Sequence, residues 1–196
     1  MELLILARHG ETDWNTRRLV NGDPAVDVRL SERGREEARR LGTELAGEQL
    51  DLCVTSAFPR TEETAALALD GRVLPRLRVA DLGDPGYGSF EGGHLDDYRA
   101  WAAKHDSTAA PDGGEPRHAV VGRYVRGFRL LLARPERTIL AVLHSLPIAY
   151  ALAAREGRAP EPREPLVANA HPYRFAHEEL DRAIGLLEGW CASPTW

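Results

Sequence analysis

The chain alternates short, almost wholly apolar runs with longer segments whose apolar residues recur every three or four positions. Residues 3 to 7, Leu-Leu-Ile-Leu-Ala, and residues 138 to 143, Thr-Ile-Leu-Ala-Val-Leu, have no polar face, the pattern of strands buried on both sides. Residues 50 to 55, 73 to 77 and 166 to 169 read as further strands. Helical spacing appears over 32 to 47, where Ser31 is the N-cap and Ala38, Leu41 and Leu45 share a face, and over 60 to 69 behind Pro59. Shorter or weaker helical patterns cover 95 to 105, 117 to 133, 147 to 155 and 176 to 190, the last interrupted by Gly185. Glycine and proline mark loops over 81 to 93, 112 to 116 and 157 to 165. Strands alternating with helices predict an α/β fold, a three-layer sandwich with a mostly parallel central sheet flanked by helices.

At 196 residues and 43% hydrophobic content the chain suits one domain with one substantial core. A net charge of -5 and pI near 5.8 leave no basic footprint for nucleic acid and no polybasic run for an anionic membrane. No apolar run approaches the ~20 residues that span a bilayer. Cys53 and Cys191 form neither a disulfide framework nor a metal cluster, so a soluble cytoplasmic protein is expected. A C-terminal helix bearing Leu180, Ile184 and Leu187 serves either as core or as the seam of a homodimer.

Two of the apolar runs end in histidine: Ala7-Arg8-His9-Gly10 and Val142-Leu143-His144-Ser145. In an open α/β sheet ligands bind at the C-terminal ends of strands, which would bring the two histidines to one pocket. Arg8, His9, Gly10 and Asn15 assemble what phosphate binding asks for: a fixed fork of donors, a ring nitrogen able to attack phosphorus, close backbone approach and a neutral amide.

The Arg8-His9-Gly10-Glu11-Thr12 segment resembles the signature of the histidine phosphatase superfamily, the phosphoglycerate mutase-like group. Trp14-Asn15 and Asn21-Gly22 resemble the family's next loop, and Leu30-Ser31-Glu32-Arg33-Gly34 resembles its following segment. Ser56-Ala57-Phe58-Pro59-Arg60-Thr61 resembles its second arginine motif, Gly113-Gly114-Glu115 with Arg123 a later one, and His144 stands at its second histidine. The likeness covers residues 3 to about 155. It implies a single domain, 1–196, with a small cap-like insertion around 84–115, and a reaction that runs through a phosphohistidine. His9 would be the nucleophile, with Arg8, Arg60 and a protonated His144 around the phosphoryl group, and Asn15, Asn21, Gly22 and Ser145 completing the substrate cradle. Neither a metal nor another cofactor is implied, since the guanidinium groups supply the positive field.

The family draws the proton for the leaving oxygen from a glutamate, and reading back from Glu91-Gly92 through Gly88 puts Asp84 at that position, one methylene shorter. Its pKa would need raising to keep the proton near neutrality, and Asp81 and Glu91 are alternative donors. Leu19 stands where an arginine is usual, Asn21 where a glutamine is, and Ser145 where a glycine is. These changes bear on the substrate more than on the reaction. Three readings follow: a phosphatase acting on a small phosphorylated metabolite, a mutase of the phosphoglycerate type, and a phospholigand-binding module without catalysis. Length favours the phosphatase, because resembling mutases carry extra segments that exclude water. Leaving-group contacts are expected from loops 16 to 28, 84 to 115 and 169 to 177, with Arg99, Trp101, Lys104, His105, Tyr173 and Arg174 as candidates.

Overall fold

The computed structural model describes residues 1–196. The continuous apolar runs become the two central strands, β1 (Leu3–Arg8) and β4 (Thr138–Leu143), which pair in parallel. Strand β2 (Leu52–Thr55) pairs with the other side of β4, β3 (Arg76–Arg78) follows β2, and β5 (Pro172–Ala176) closes the far edge antiparallel to β1. The order is β3-β2-β4-β1-β5.

Each central strand sends alternate side chains to opposite layers. Leu4 and Leu6 of β1, with Ile139, Ala141 and Leu143 of β4, pack under α5 (Arg117–Leu132), α6 (Ser145–Arg155) and α7 (His177–Ala192). Ile5, Ala7, Cys53, Leu140 and Val142 pack under α2 (Glu32–Glu44) and α3 (Pro59–Ala68). The fold is therefore the expected three-layer sandwich. Leu180, Ile184 and Leu187 are wholly buried in the larger core, which makes them core and leaves them unavailable as a dimer seam. No helix is long and apolar enough to cross a membrane.

Two strand expectations shift. Pro75 lacks an N–H and Val73 is fully exposed, so β3 begins only at Arg76. Residues 166 to 169 form no strand beyond a single bridge from Asn169 to Arg8. Their backbone is satisfied by side chains instead: Ser145 Oγ accepts from Val167 N–H and Tyr173 Oη from Ala168 N–H. A short helix that periodicity misses, α1 (Asp13–Thr16), starts at a capping box in which Thr12 and Asn15 bond each other's backbone N–H.

The segment from 84 to 115 lies beside the strand ends. It holds a 3-10 turn (Gly88–Phe90) and α4 (Leu95–Ala102), and builds a small apolar cluster from Tyr87, Tyr98, Phe90, Leu95 and Trp101 against Val20.

Candidate active site

Strands β1 and β4 lie side by side and in register from Leu3 and Thr138 to Arg8 and Leu143, so the residue after each is a histidine at the same sheet edge. His9 N–H donates to Leu143 C=O at 3.0 Å, and the imidazole rings of His9 and His144 come within 5.4 Å, centroid to centroid. Both are buried. The turn after His9 is set by Gly10, where a Cβ would lie 2.3 Å from Gly34 C=O in α2, and Gly10 N–H donates to Thr64 Oγ1.

His9 Nδ1 lies 2.8 Å from the carbonyl of Gly10, an acceptor only, so this nitrogen carries the proton. The lone pair is thereby on Nε2, which receives Arg60 Nε–H at 3.2 Å, and the residue lines the cavity. Burial, then Arg60, Arg8 and His144, holds the imidazole well below its ordinary pKa. His9 is thus a neutral ring with an unprotonated nitrogen, the form a nucleophile requires.

Arg60, on the first turn of α3, is the hub. Its Nη1 donates to Asn21 Oδ1 at 2.6 Å, and its Nη2 donates to the Asn21 carbonyl at 3.1 Å and to Asp84 Oδ2 at 2.8 Å, with His144 Nδ1 at 3.3 Å. The guanidinium also stacks over Phe58, which packs edge-on against His144. Ser56 Oγ meets His144 Nε2 at 2.8 Å, while His144 Nδ1 lies 3.1 Å from Asp84 Oδ2. His9, Asp84 and His144 bring metal-type donor atoms within 4.8 Å of one another, but all three contact Arg60, so the cation among them is a guanidinium.

Two protonation states of the free pocket differ from those the reaction would use. Burial pushes Asp84 up, but the hydrogen bond from His144 and the charge of Arg60 pull harder and leave its carboxyl well below the usual range in the free pocket. Burial pushes His144 down to about 4 against the opposing pull of Asp84, so in the free protein it is a neutral donor through Nδ1 and not a cation. In the free pocket the Asp84 carboxylate thus occupies donors of both Arg60 and His144.

Arg8 is 8% exposed, donates Nη1 to Val167 C=O at 2.9 Å, and leaves Nε without a partner. Asn15 spends Oδ1 on the capping box and keeps its Nδ2 donors, and Ser145 stands at the N-terminus of α6, where its backbone N–H has no intrahelical acceptor. Both line the cavity with Arg8, His9, Arg60 and Asp84. Asn21 also lines it; its Oδ1 accepts from Arg60 and one Nδ2–H goes to Asp23 C=O, so it holds Arg60 at the cavity wall. Gly22 does not line it: its N–H donates to the Glu91 carboxylate, and a Cβ there would lie 1.9 Å from Pro85 C=O.

Both alternative acids are committed elsewhere. Glu91 also accepts Tyr87 N–H, and Asp81 pairs with Arg126 on the surface. The Asp84 loop is clamped from behind by Arg123, which donates to the carbonyls of Asp81, Gly83 and Asp84 and pairs with Glu115, whose carboxylate accepts Gly86 N–H.

The cavity has room for about 130 Å³ and continues past the cradle along walls from Trp14, Leu19, Leu95, Tyr98, Leu146 and Leu166. Of the leaving-group candidates only Arg99 lines it. Trp101 stacks on His105, Tyr173 and Arg174 hold backbone and Glu48 at the β5 edge, and Lys104 is exposed. Sequence reading missed the wall from 162 to 166, which carries Glu164, and missed Arg117. For Glu164 no signal exists in a Pro/Glu-rich loop. For Arg117 there is one, because it occupies the buried face of α5 in phase with Val121, Tyr124 and Phe128.

Comparison with known proteins gives a concordant family. The sequence pattern of the histidine phosphatase superfamily (branch 1) matches residues 4–186. A 2,3-bisphosphoglycerate-dependent phosphoglycerate mutase from Azorhizobium caulinodans is 36% identical over 157 residues, 71% of this chain and 74% of the relative. The alpha-ribazole phosphatase from Shigella flexneri superposes with a TM-score of 0.75 at 28% identity over 88% of this chain and 89% of its own. The mycobacterial glucosyl-3-phosphoglycerate phosphatase, in a complex with VO3, superposes with a TM-score of 0.71 at 27% identity over 90% of this chain and 91% of its own.

Proposed function

The chain belongs to the histidine phosphatase superfamily, and from that premise we propose that it is a metal-independent phosphatase that hydrolyses a small phosphate monoester through a phosphohistidine on His9. The observation that carries the reading is the tautomer of His9: Nδ1–H is tied to Gly10 C=O, which leaves Nε2 unprotonated, its lone pair held only by Arg60 Nε–H, on a ring that lines the cavity with Arg8 and Arg60.

The substrate phosphoryl group enters between the two guanidinium groups, takes hydrogen bonds from Arg60, His144 Nδ1, Asn15 and the Ser145 N–H, and displaces Asp84 from Arg60 and His144. Its negative charge removes the stabilisation that holds Asp84 ionised, so the carboxyl takes up a proton. His9 Nε2 forms the N–P bond as the P–O bond to the leaving group breaks, and Asp84 gives its proton to the leaving oxygen. Water then attacks phosphorus and returns a proton to Asp84, the N–P bond breaks, and inorganic phosphate leaves with His9 neutral again.

The mutase reading is supported by the name of the Azorhizobium relative, and length does not separate the two, since that relative is matched across 74% of its own chain. The phosphatase reading is supported by the two phosphatases above, which superpose over 89% and 91% of their lengths. The test is phosphate release from a panel of monoesters in EDTA by wild type and His9→Ala, with 3-phosphoglycerate included and its products resolved. Release that survives EDTA and is lost in His9→Ala supports the phosphatase. Isomerisation of phosphoglycerate faster than release replaces it with the mutase, and neither activity from a folded protein leaves only a binding module.

A further inference from the structure

Two arginines of this protein are buried, line the cavity and have no carboxylate partner. One is Arg8, whose counter-ion in the proposed reaction is the phosphoryl group. The other is Arg117, 7% exposed at the start of α5. Its Nη1 donates to Tyr150 Oη at 3.1 Å and its Nη2 to Tyr98 Oη at 2.8 Å, and its Nε, like that of Arg8, has no partner. A guanidinium shut away from water and facing only phenols carries a charge that the fold does not neutralise, and such charges are costly unless something pairs with them.

The surroundings of Arg117 leave the same charge open. Tyr98 lines the cavity and spends an oxygen lone pair on Arg117, while its hydroxyl proton has no acceptor in the chain; the Tyr150 hydroxyl goes to Glu161 C=O instead. Arg99, one residue beyond Tyr98, also lines the cavity and donates only to the backbone carbonyl of Glu164. The single carboxyl on this part of the wall, Glu164, accepts Glu161 N–H and makes no ion pair with either arginine. The remaining wall is mostly apolar.

We propose that Arg117 and Tyr98, with Arg99, form a subsite for a second anionic group, a carboxylate or a second phosphate, borne by the leaving alcohol. The substrate class is then a phosphate ester with an anion at each end and an apolar or weakly polar body. As a statement about substrate it rests on the phosphatase reading; as a statement about binding it stands on the cavity alone.

Non-hydrolysable phosphonates separate the two. Binding to the intact protein is measured by calorimetry at pH 7.5 and fixed ionic strength for n-alkylphosphonates of two to five carbons, for their ω-carboxy counterparts and for α,ω-bisphosphonates of the same lengths. The expected result is that at one chain length or more a terminal anion tightens binding by about tenfold or more, the size of a charge-assisted contact in a buried site. The carboxy and bisphosphonate arms tell which anion it is. In Arg117→Met that ratio collapses towards one, and Arg117→Lys keeps part of it; because a ratio is read, any shared loss of affinity cancels. Should Arg117→Met fail to fold, Tyr98→Phe, which removes the donated proton, is expected to shrink the ratio by several-fold. Equal binding of alkyl and anionic ligands at every length by wild type overturns the proposal, as does an unchanged ratio in folded Arg117→Met. A preserved ratio in a protein that releases no phosphate leaves the subsite standing and removes only the phosphatase.

Discussion

At the scale of single residues, the pocket is organised by which atom of each side chain is already used. His9 has one ring nitrogen protonated and tied to Gly10 C=O and the other unprotonated and accepting only from Arg60 Nε–H, and burial with Arg60 and Arg8 keeps the ring neutral. The His9 ring is therefore expected to show no titration between pH 5.5 and 7.5 in nitrogen-resolved NMR of the free protein; a midpoint near 6.5 would contradict the geometry. Replacing His9 by alanine removes the nucleophile, and monoester hydrolysis is expected to fall by at least about 10⁴-fold. In the proposed reaction Asp84→Asn leaves the nucleophile in place but removes the proton donor. Its effect should grow with the pKa of the leaving group: roughly 10²-fold or more in kcat for alkyl phosphates, and little for aryl phosphates with acidic phenols. An equal fall across the series would mean that Asp84 acts only by positioning Arg60.

At the scale of elements, the site depends on two close approaches. The turn after β1 packs on α2 through Gly10 and Gly34, where no Cβ fits. Gly10→Ala forces that contact apart; the expected cost is about 1 to 3 kcal/mol in urea unfolding, together with loss of activity as His9 shifts from Arg60. The second is the Asp84 loop, whose carbonyls at Asp81, Gly83 and Asp84 are held by Arg123 from α5. Arg123→Met leaves those acceptors and Glu115 unpaired. It is expected to lower stability by about 1 to 3 kcal/mol, and to lower kcat for alkyl phosphates more than for aryl phosphates, since the acid and not the nucleophile is loosened.

At the scale of the whole molecule, folding keeps His144 neutral inside a pocket that the unfolded chain does not have. Its folded pKa of about 4 lies below the unfolded value near 6.5, so below pH 6.5 the unfolded chain binds a proton that the folded one refuses. His9 acts with the same sign. Stability is therefore full above pH 6.5 and declines as pH falls through the window from 6.5 to 4, with His144 alone contributing on the order of 2 kcal/mol of loss by pH 5. Urea midpoints from pH 7.5 to 4.5 check this, and a flat profile would mean that His144 is already charged in the fold. Binding of inorganic phosphate to the folded pocket, part of the proposed reaction, is expected to raise the midpoint at each pH.

The sequence by itself determined the layers, because a strand buried on both faces must be continuously apolar and a helix on a layer must repeat every three or four residues. That is why β1, β4, α2 and α5 were legible, and why His9 and His144 could be placed at one sheet edge. It also brought together the residue types of the proposed phosphate cradle, since Arg8, His9 and Asn15 are neighbours in the chain. Residues 166 to 169 looked like a strand because their apolar content is right, yet only the tertiary structure shows their N–H groups going to Ser145 and Tyr173. Protonation was beyond the sequence for the same reason. Asp84 was expected to need a raised pKa, but whether burial or an ion pair wins depends on Arg60 at 2.8 Å and His144 at 3.1 Å, two neighbours from distant parts of the chain. Arg117 lay in the buried register of its helix in plain view; that it has phenols and no carboxylate around it is a property of Tyr98 and Tyr150 arriving from other elements, and long-range side-chain partners of that kind are decided only when the chain is folded.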